Sequence, residues 1–139
     1  TLHSGLGNFR AIEVEDLTKH KMDSEQMIIN EDNARMINNA KAAGRKVCTV
    51  GTSSMKAVET AAIIDNRVKV FNGWTNKFIF PPYEFAISDA MITNFHPPLS
   101  SMLMQVAAFG GYELIMNAYK YAIEKKYKFF TYGDAMLII

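Results

Sequence analysis

Two short polar motifs of this 139-residue chain combine groups suited to acid–base chemistry with groups that can hold substrate oxygens. The first, Thr93-Asn94-Phe95-His96-Pro97, follows an apolar segment, and the prolines after His96 stiffen the loop. Catalytic groups of parallel sheets gather where strands end, and a histidine there can act as an acid, a base or a hydrogen-bond donor. The alternative is a structural His96 that is hydrogen-bonded to a loop carbonyl.

The second motif, Val50-Gly51-Thr52-Ser53-Ser54, stands between a predicted strand and a predicted helix. Such a loop directs backbone N–H groups and hydroxyls at one point, which suits a phosphate, a carboxylate or a ribose. Thr52 or Ser53 could instead cap its own helix. The motif is not a Walker loop, because no Gly-Lys-Ser/Thr sequence follows it.

The beginning of the chain carries a glycine-rich segment, Leu2-His3-Ser4-Gly5-Leu6-Gly7. It resembles the start of a dinucleotide-binding fingerprint, but Arg10 stands where the third glycine is needed. His3 lies in an apolar segment beside this loop, so a functional and a structural role are equally compatible with its position. His20 stands between two lysines, which favours a solvated face.

The end of the chain, Lys128 to Ile139, reads as two apolar strands joined by a turn at Gly133-Asp134. Asp134 then either caps backbone N–H groups or faces a ligand. The single tryptophan, Trp74, is predicted to lie in an Asn-Gly turn, where it could stack on a nucleobase or cover the edge of the core.

Composition restricts the class of protein. A net charge of +1 excludes a strongly basic nucleic-acid footprint over the whole chain, although local lysine patches remain compatible with phosphate contacts. One cysteine, Cys48, excludes an internal disulfide and is predicted to be a buried strand residue.

The three histidines lack metal-ligand spacing, so we expect no metal site. No apolar run reaches the ~20 residues of a membrane span and no signal peptide is visible, so we expect a cytoplasmic location.

The order of elements predicts an α/β fold with a mixed sheet flanked by helices. The predicted strands cover 25–29, 47–50, 67–71, 77–80, 90–95, 128–131 and 135–139. The predicted helices cover 54–64, 99–109 and 112–126, together with one that begins after an Asn30 cap and ends at Gly44. Both chain ends are apolar, so we expect 1–139 to be a single segment of a larger protein whose N-terminal part completes the core.

In this order the motifs resemble the S-adenosylmethionine:tRNA ribosyltransferase-isomerase family of queuosine biosynthesis, over essentially all 139 residues. The most specific piece is the tail from Phe129 to Ile138. The other pieces are Thr1–Arg10, His20–Met22 with Glu25, Val50–Ser54 with Glu59, Gly73–Thr75, Phe78–Ile79, Pro81 with Tyr83 and Phe85, and Thr93–His96. The resemblance implies the later part of an α/β barrel-like large domain, at the C-terminal end of a two-domain enzyme.

The resemblance also implies a reaction. The family moves the ribosyl portion of S-adenosylmethionine onto 7-aminomethyl-7-deazaguanine in tRNA, which gives epoxyqueuosine and releases adenine and methionine. The expected partners are therefore tRNA and S-adenosylmethionine, which is consumed as a substrate, and no resident cofactor is expected. We also expect a monomer that does not associate with a membrane.

Residue chemistry suggests individual roles within that reaction. The acid–base candidates are His3, Glu25 and His96. The substrate-binding candidates are Gly5, Gly7, Arg10, Gly51, Thr52, Ser53, Trp74, Asn94 and Asp134. A competing hypothesis is a non-catalytic α/β nucleic-acid-binding module, which would use Trp74 and the lysines. A third is an S-adenosylmethionine methyltransferase, against which the missing glycine-rich strand–loop–helix fingerprint argues.

Overall fold

The computed structural model describes residues 1–139 and confirms the predicted mixed α/β class. The strands are β1 (Glu25–Ile29), β2 (Cys48–Val50), β3 (Ala62–Ile63), β4 (Arg67–Val68), β5 (Phe71–Thr75), β6 (Ala90–Asn94) and β7 (Ala135–Ile138). The helices are α1 (Glu31–Ala42), α2 (Thr52–Thr60), α3 (Ser101–Gly110) and α4 (Tyr112–Glu124). Short 3-10 turns cover Leu6–Phe9, Leu17–Lys19 and Ile64–Asn66.

The strands form three small sheets, of which the β2–β6–β7 sheet positions the polar motifs. Strand β2 runs parallel to β6, with Val50 opposite Ile92, and β7 pairs antiparallel with β6. Strand β1 pairs antiparallel with β5, and β3 pairs antiparallel with β4. Because β2 and β6 are parallel, their carboxyl ends lie at the same edge of the sheet, and both polar motifs begin there.

Helix α1 shows how local chemistry fixes an element. The side chain of Asn30 accepts a hydrogen bond from the amide of Asn33, as predicted for an N-cap. Glu31 and Asp32 occupy the first turn, where the helix dipole favours negative charge. The helix ends just before Gly44, whose φ of +65° closes the last turn in the left-handed region.

Two apolar clusters hold the elements together. One surrounds Met55, Met91 and Val106 and joins α2, α3, α4 and β6. The other surrounds Met27 and Ile87 and joins β1 to α1 and α2. Close packing of these clusters fixes the strand ends and helix starts that carry the polar motifs.

The buried carboxylate of Glu59 on α2 holds the segment that leads into β6. Its Oε1 accepts hydrogen bonds from the amides of Ile87 and Ser88, at 3.0 and 2.9 Å, and its Oε2 accepts one from the amide of Ala86 at 3.0 Å. Three amides that have no strand partner are thereby satisfied, and the start of β6 is tied to α2.

Several predicted boundaries are wrong for physical reasons. Helix α2 begins at Thr52 instead of residue 54 and ends at Thr60, because Ala62–Ile63 pairs with Arg67–Val68 as a short hairpin. The Asn-Gly turn predicted around Trp74 is instead strand β5, in which Gly73 lies opposite Met27 of β1. Pairing with a distant strand overrides local turn propensity here.

The predicted strands over 77–80 and 128–131 are absent, and Cys48 is exposed instead of buried. Side chains alternate along β2, so Cys48 lies on the opposite face from buried Thr49. Residues 128–134 close into a loop because the amide of Asp134 donates to the carbonyl of Lys128 at 2.9 Å.

Candidate active site

A cleft of about 300 Å³ opens at the carboxyl ends of β2 and β6. Both polar motifs line it, with Gly51, Thr52 and Ser53 on one side and Asn94 and His96 on the other. Its other lining residues are Ser4, Asn8, Phe9, Thr93, Pro97, Met102, Phe130 and Thr131. The structure therefore brings five of the sequence-predicted site residues together in one cleft.

The Gly51 loop leaves its hydroxyls available to a ligand. Gly51 adopts φ +89°, and its amide donates to the carbonyl of Ile92 at 2.8 Å, which joins the loop to β6. No side chain caps α2, so the alternative that Thr52 or Ser53 caps its own helix does not hold. The first-turn N–H groups of a helix lack intrahelical partners, and here they adjoin the cleft.

His96 is held as a neutral imidazole. Its Nε2 lies 2.7 Å from the hydroxyl oxygen of Thr93, and its backbone N–H donates to the hydroxyl oxygen of Tyr119 at 2.8 Å. Burial lowers the pKa of His96 from 6.5 to about 4, because desolvation disfavours the imidazolium. The ring is therefore uncharged near neutral pH, so it can accept a proton or share one with Thr93.

Glu25 lies behind the cleft in a buried polar network. Its Oε1 accepts hydrogen bonds from the amide of Gly5 and from Nδ2 of Asn8, each at 2.7 Å. Its Oε2 accepts one from Nζ of Lys56 at 2.5 Å. Both oxygens are engaged by protein donors, so the carboxylate fixes the Gly5–Phe9 loop against α2. Its predicted acid–base role stays a prediction.

A narrow recess adjoins the cleft. It shares Asn8, Thr52 and Ser53 with the cleft, and its walls include Lys77 and also Lys56, whose charge is balanced by Glu25. Hydroxyls beside the ammonium group of Lys77 suit an oxygen-rich part of a substrate.

Asn94 and Asp134 organise the loop that closes one side of the cleft. Asn94 donates from Nδ2 to the carbonyls of Gly133 and Asp134, at 3.3 and 3.2 Å. The carboxylate of Asp134 accepts a hydrogen bond from the amide of Lys128 at 2.7 Å. Asp134 therefore caps a backbone N–H, and its predicted role in substrate binding stays a prediction.

Other sequence-predicted site residues lie outside the cleft lining. His3 is exposed, and its amide donates to the carbonyl of Gln26. Arg10 is exposed and forms an ion pair with Asp23 at 3.3 Å. Trp74 is exposed on β5.

Gly7 is buried beside Asp23, the ion-pair partner of Arg10. A Cβ added to Gly7 would lie 2.8 Å from Cβ of Asp23. For His3, Gly7, Arg10 and Trp74 a direct role in the site stays a prediction.

Sequence reasoning missed Asn8, Phe9, Thr93 and Phe130 as lining residues. Thr93 directly precedes Asn94, and Asn8 follows the predicted glycine loop, so their closeness to a motif in the sequence was the signal that could have identified them.

No group of three or more His, Cys, Asp or Glu side chains is arranged to hold a metal ion. None of the helices has the length and apolar character needed to cross a bilayer.

Comparison with protein families finds one match across nearly the whole chain. The model of the family described as "Queuosine biosynthesis protein" matches residues 1–138. An S-adenosylmethionine:tRNA ribosyltransferase-isomerase of Parabacteroides distasonis is 64% identical over 100% of this chain and 40% of its own length. The protein of the same name from Phocaeicola vulgatus is 61% identical with the same coverage. The chain thus spans about 40% of the length of these relatives.

A solved structure agrees with these matches. The crystal structure of S-adenosylmethionine tRNA ribosyltransferase from Thermotoga maritima superposes with a TM-score of 0.78 at 39% identity. The match covers 83% of this chain and 40% of that one. At this identity the likeness supports a common fold and confirms the resemblance first found in the motifs.

Proposed function

The chain belongs to the queuosine biosynthesis protein family, and we propose that it forms the cleft-bearing part of a tRNA ribosyltransferase-isomerase. The enzyme transfers and isomerises the ribosyl moiety of S-adenosylmethionine onto 7-aminomethyl-7-deazaguanine in tRNA, with release of adenine and methionine. The observation that carries this proposal is the cleft itself, where two separate motifs meet at the ends of parallel strands. Because its relatives are much longer, we propose that the active enzyme also requires the rest of their architecture.

The cleft residues suit distinct parts of the substrate. The hydroxyls of Thr52 and Ser53 and the first-turn amides of α2 bind ribose oxygens. The sulfonium of S-adenosylmethionine acidifies the neighbouring 5′ carbon, so a base can remove a proton there. Opening of the sugar then releases adenine, and the amine of the deazaguanine attacks as methionine leaves.

His96 serves the acid–base steps in this proposal. As a neutral ring it has one nitrogen with an electron pair that can take up a proton. Because burial lowers its pKa to about 4, the protonated ring is a stronger acid than an ordinary imidazolium ion and can pass the proton on, for instance to the departing adenine. Thr93 holds the ring in place through its hydroxyl.

Labelled substrate tests the proposal directly. The full-length enzyme is supplied with tRNA bearing the aminomethyl deazaguanine and with S-adenosylmethionine labelled separately in the ribose and in the methyl group. We expect ribose label on the tRNA together with free adenine and methionine. His96→Ala is expected to abolish transfer while tRNA binding is retained, and His20→Gln, which changes a histidine outside the cleft, serves as the control.

The other outcomes identify the competing functions. Methyl label on the tRNA would make the protein a methyltransferase. A protein that binds tRNA but transfers no label would be a nucleic-acid-binding module, a reading that the exposed Trp74 on β5 favours.

A further inference from the structure

Two phenylalanine side chains line the cleft and remain largely exposed to solvent. Phe9 is 70% exposed and Phe130 is 57% exposed, although most cleft residues are polar. They come from distant parts of the chain, one from the first 3-10 turn and one from the loop before β7. Exposed aromatic rings inside a concave polar site mark a place where apolar or planar ligand surface is bound.

The backbone of Phe130 is held in a costly conformation. Its φ is +67°, in the left-handed region that bulky side chains avoid. The amide of Phe130 donates to the carbonyl of Phe95 at 3.1 Å, and its carbonyl accepts from the amide of Gly133 at 2.9 Å. These bonds impose the strained geometry and keep the ring at the cleft. Strain of this kind is concentrated at ligand-binding positions.

The support of Phe9 is equally well defined. The preceding residue, Asn8, is hydrogen-bonded to buried Glu25 at 2.7 Å and to the hydroxyl of Ser4 at 2.9 Å. Lys56 holds the other oxygen of the same carboxylate. A ring carried on a loop fixed in this way loses little conformational freedom when it binds a ligand.

We propose that Phe9 and Phe130 form a binding site for a planar heteroaromatic ring, whose face stacks on the two side chains. The polar cleft residues Thr52, Ser53 and His96 then hold the sugar attached to that ring. This inference rests on the proposed function, in which two substrates carry such a ring. One is the adenine of S-adenosylmethionine, and the other is the deazaguanine of the tRNA.

Substitutions that remove only aromatic character test the stacking. Binding of adenine and of S-adenosylmethionine to the full-length enzyme is measured by calorimetry, and KM for the tRNA is measured by label transfer. We expect Phe9→Leu and Phe130→Leu each to weaken ring binding about tenfold, the order expected for one lost stacking contact. Phe9→Tyr and Phe130→Tyr, which keep an aromatic ring, should bind the ligand ring as tightly as the wild type. Tyr132→Leu is the matched control, because Tyr132 lies in the same loop, is 99% exposed and does not line the cleft.

Phe130→Gly separates ligand binding from packing. Glycine tolerates φ +67°, so this variant should keep or raise the Tm while it binds the ring as weakly as Phe130→Leu. A purely structural ring would give the opposite pattern, in which the Tm falls in both variants and affinity is unchanged. That pattern would overturn the proposal.

The arms of the experiment also identify the source of the ring. Weaker binding of adenine and S-adenosylmethionine assigns the site to the adenine, whereas a raised KM for tRNA alone assigns it to the deazaguanine. Ribose transfer by the wild type with no effect of either Leu variant refutes the stacking site and leaves the proposed function intact. Absence of transfer together with aromatic-dependent adenine binding refutes the proposed function and leaves the stacking site.

Discussion

At the scale of single residues, the most constrained group is the carboxylate of Glu25. It is buried, and both oxygens accept hydrogen bonds from protein donors, including the buried ammonium of Lys56. Three of the roughly four acceptor positions of this carboxylate are taken by protein donors, and the side chain lies behind the cleft. We therefore expect Glu25 to act on the reaction through the position of the Gly5–Phe9 loop.

Glu25→Gln is expected to lower the free energy of unfolding by about 3–5 kcal/mol, because the charge of Lys56 remains buried without its partner. Urea unfolding measures the loss. The double variant Glu25→Gln, Lys56→Met should recover part of it, since no unpaired charge remains. If Glu25→Gln were as stable as the wild type and yet inactive, the carboxylate would have a direct chemical role.

His96 gives a prediction about pH. Its folded pKa of about 4 lies below the ordinary value of 6.5, so the unfolded chain binds a proton between these pH values that the folded chain does not. The stability that the folded chain owes to an uncharged His96 is complete above pH ~6.5, and it declines as the pH falls toward ~4. Urea unfolding from pH 7.5 to about 4.5 should therefore show a steeper loss for the wild type than for His96→Gln. Equal slopes for the two proteins would contradict the assignment.

At the scale of elements, the sequence predicted those whose signals are local. The Asn30 cap and Gly44 stop defined α1, and the paired glycines before Tyr112 separated α3 from α4. Strand β5 was missed because its pairing with β1 joins residues nearly fifty positions apart, whereas its Asn-Gly sequence favours a turn. The local sequence around β5 holds no information on which residues of β1 it pairs with.

The same distinction applies to the site. The motifs after β2 and β6 could be predicted because each combines a strand end with polar residues. Phe9, Lys56 and Phe130 approach them only through the tertiary fold, as the Glu25 network and the loop before β7 show. Phe9 and Phe130 stand in the Thr1–Arg10 and Phe129–Ile138 pieces of the resemblance, but neither piece marks a phenylalanine ring as a ligand contact.

Gly133 offers an element-scale test of the loop that carries Phe130. A Cβ at this position would lie 2.3 Å from the carbonyl oxygen of Lys128, so the backbone would have to move. We expect Gly133→Ala to cost about 2 kcal/mol in unfolding free energy and to weaken ligand binding in the cleft.

Gly44→Ala is the control for that experiment. Its Cβ would meet nothing within 4 Å, and only its φ of +65° is unfavourable, so about 1 kcal/mol of stability should be lost without effect on ligand binding. Urea unfolding curves measure the stability of both variants, and calorimetry measures their ligand binding. Equal effects of the two substitutions on ligand binding would show that the loop does not control the cleft.

At the scale of the whole molecule, the β2–β6–β7 sheet has one apolar face that no helix covers. Val50, Ile92 and Leu137 lie side by side in register on this face and are all exposed, whereas Met91 and Ile138 face the helices. An uncovered apolar sheet face beside the free edge of β7 favours association between chains.

We therefore expect the isolated 139-residue chain to self-associate as its concentration rises, and sedimentation velocity measures this directly. Leu137→Lys should shift the distribution toward monomer, because a charge on this face opposes its burial. Ile64→Lys is the matched control, since Ile64 is 87% exposed in the turn between β3 and β4, outside the β2–β6–β7 sheet. In a protein of the length of its relatives we expect this face to be covered within the same molecule, so Leu137→Lys should there lower stability instead of changing the association state. A chain that stays monomeric at high concentration would show that the exposed sheet face is tolerated without a partner.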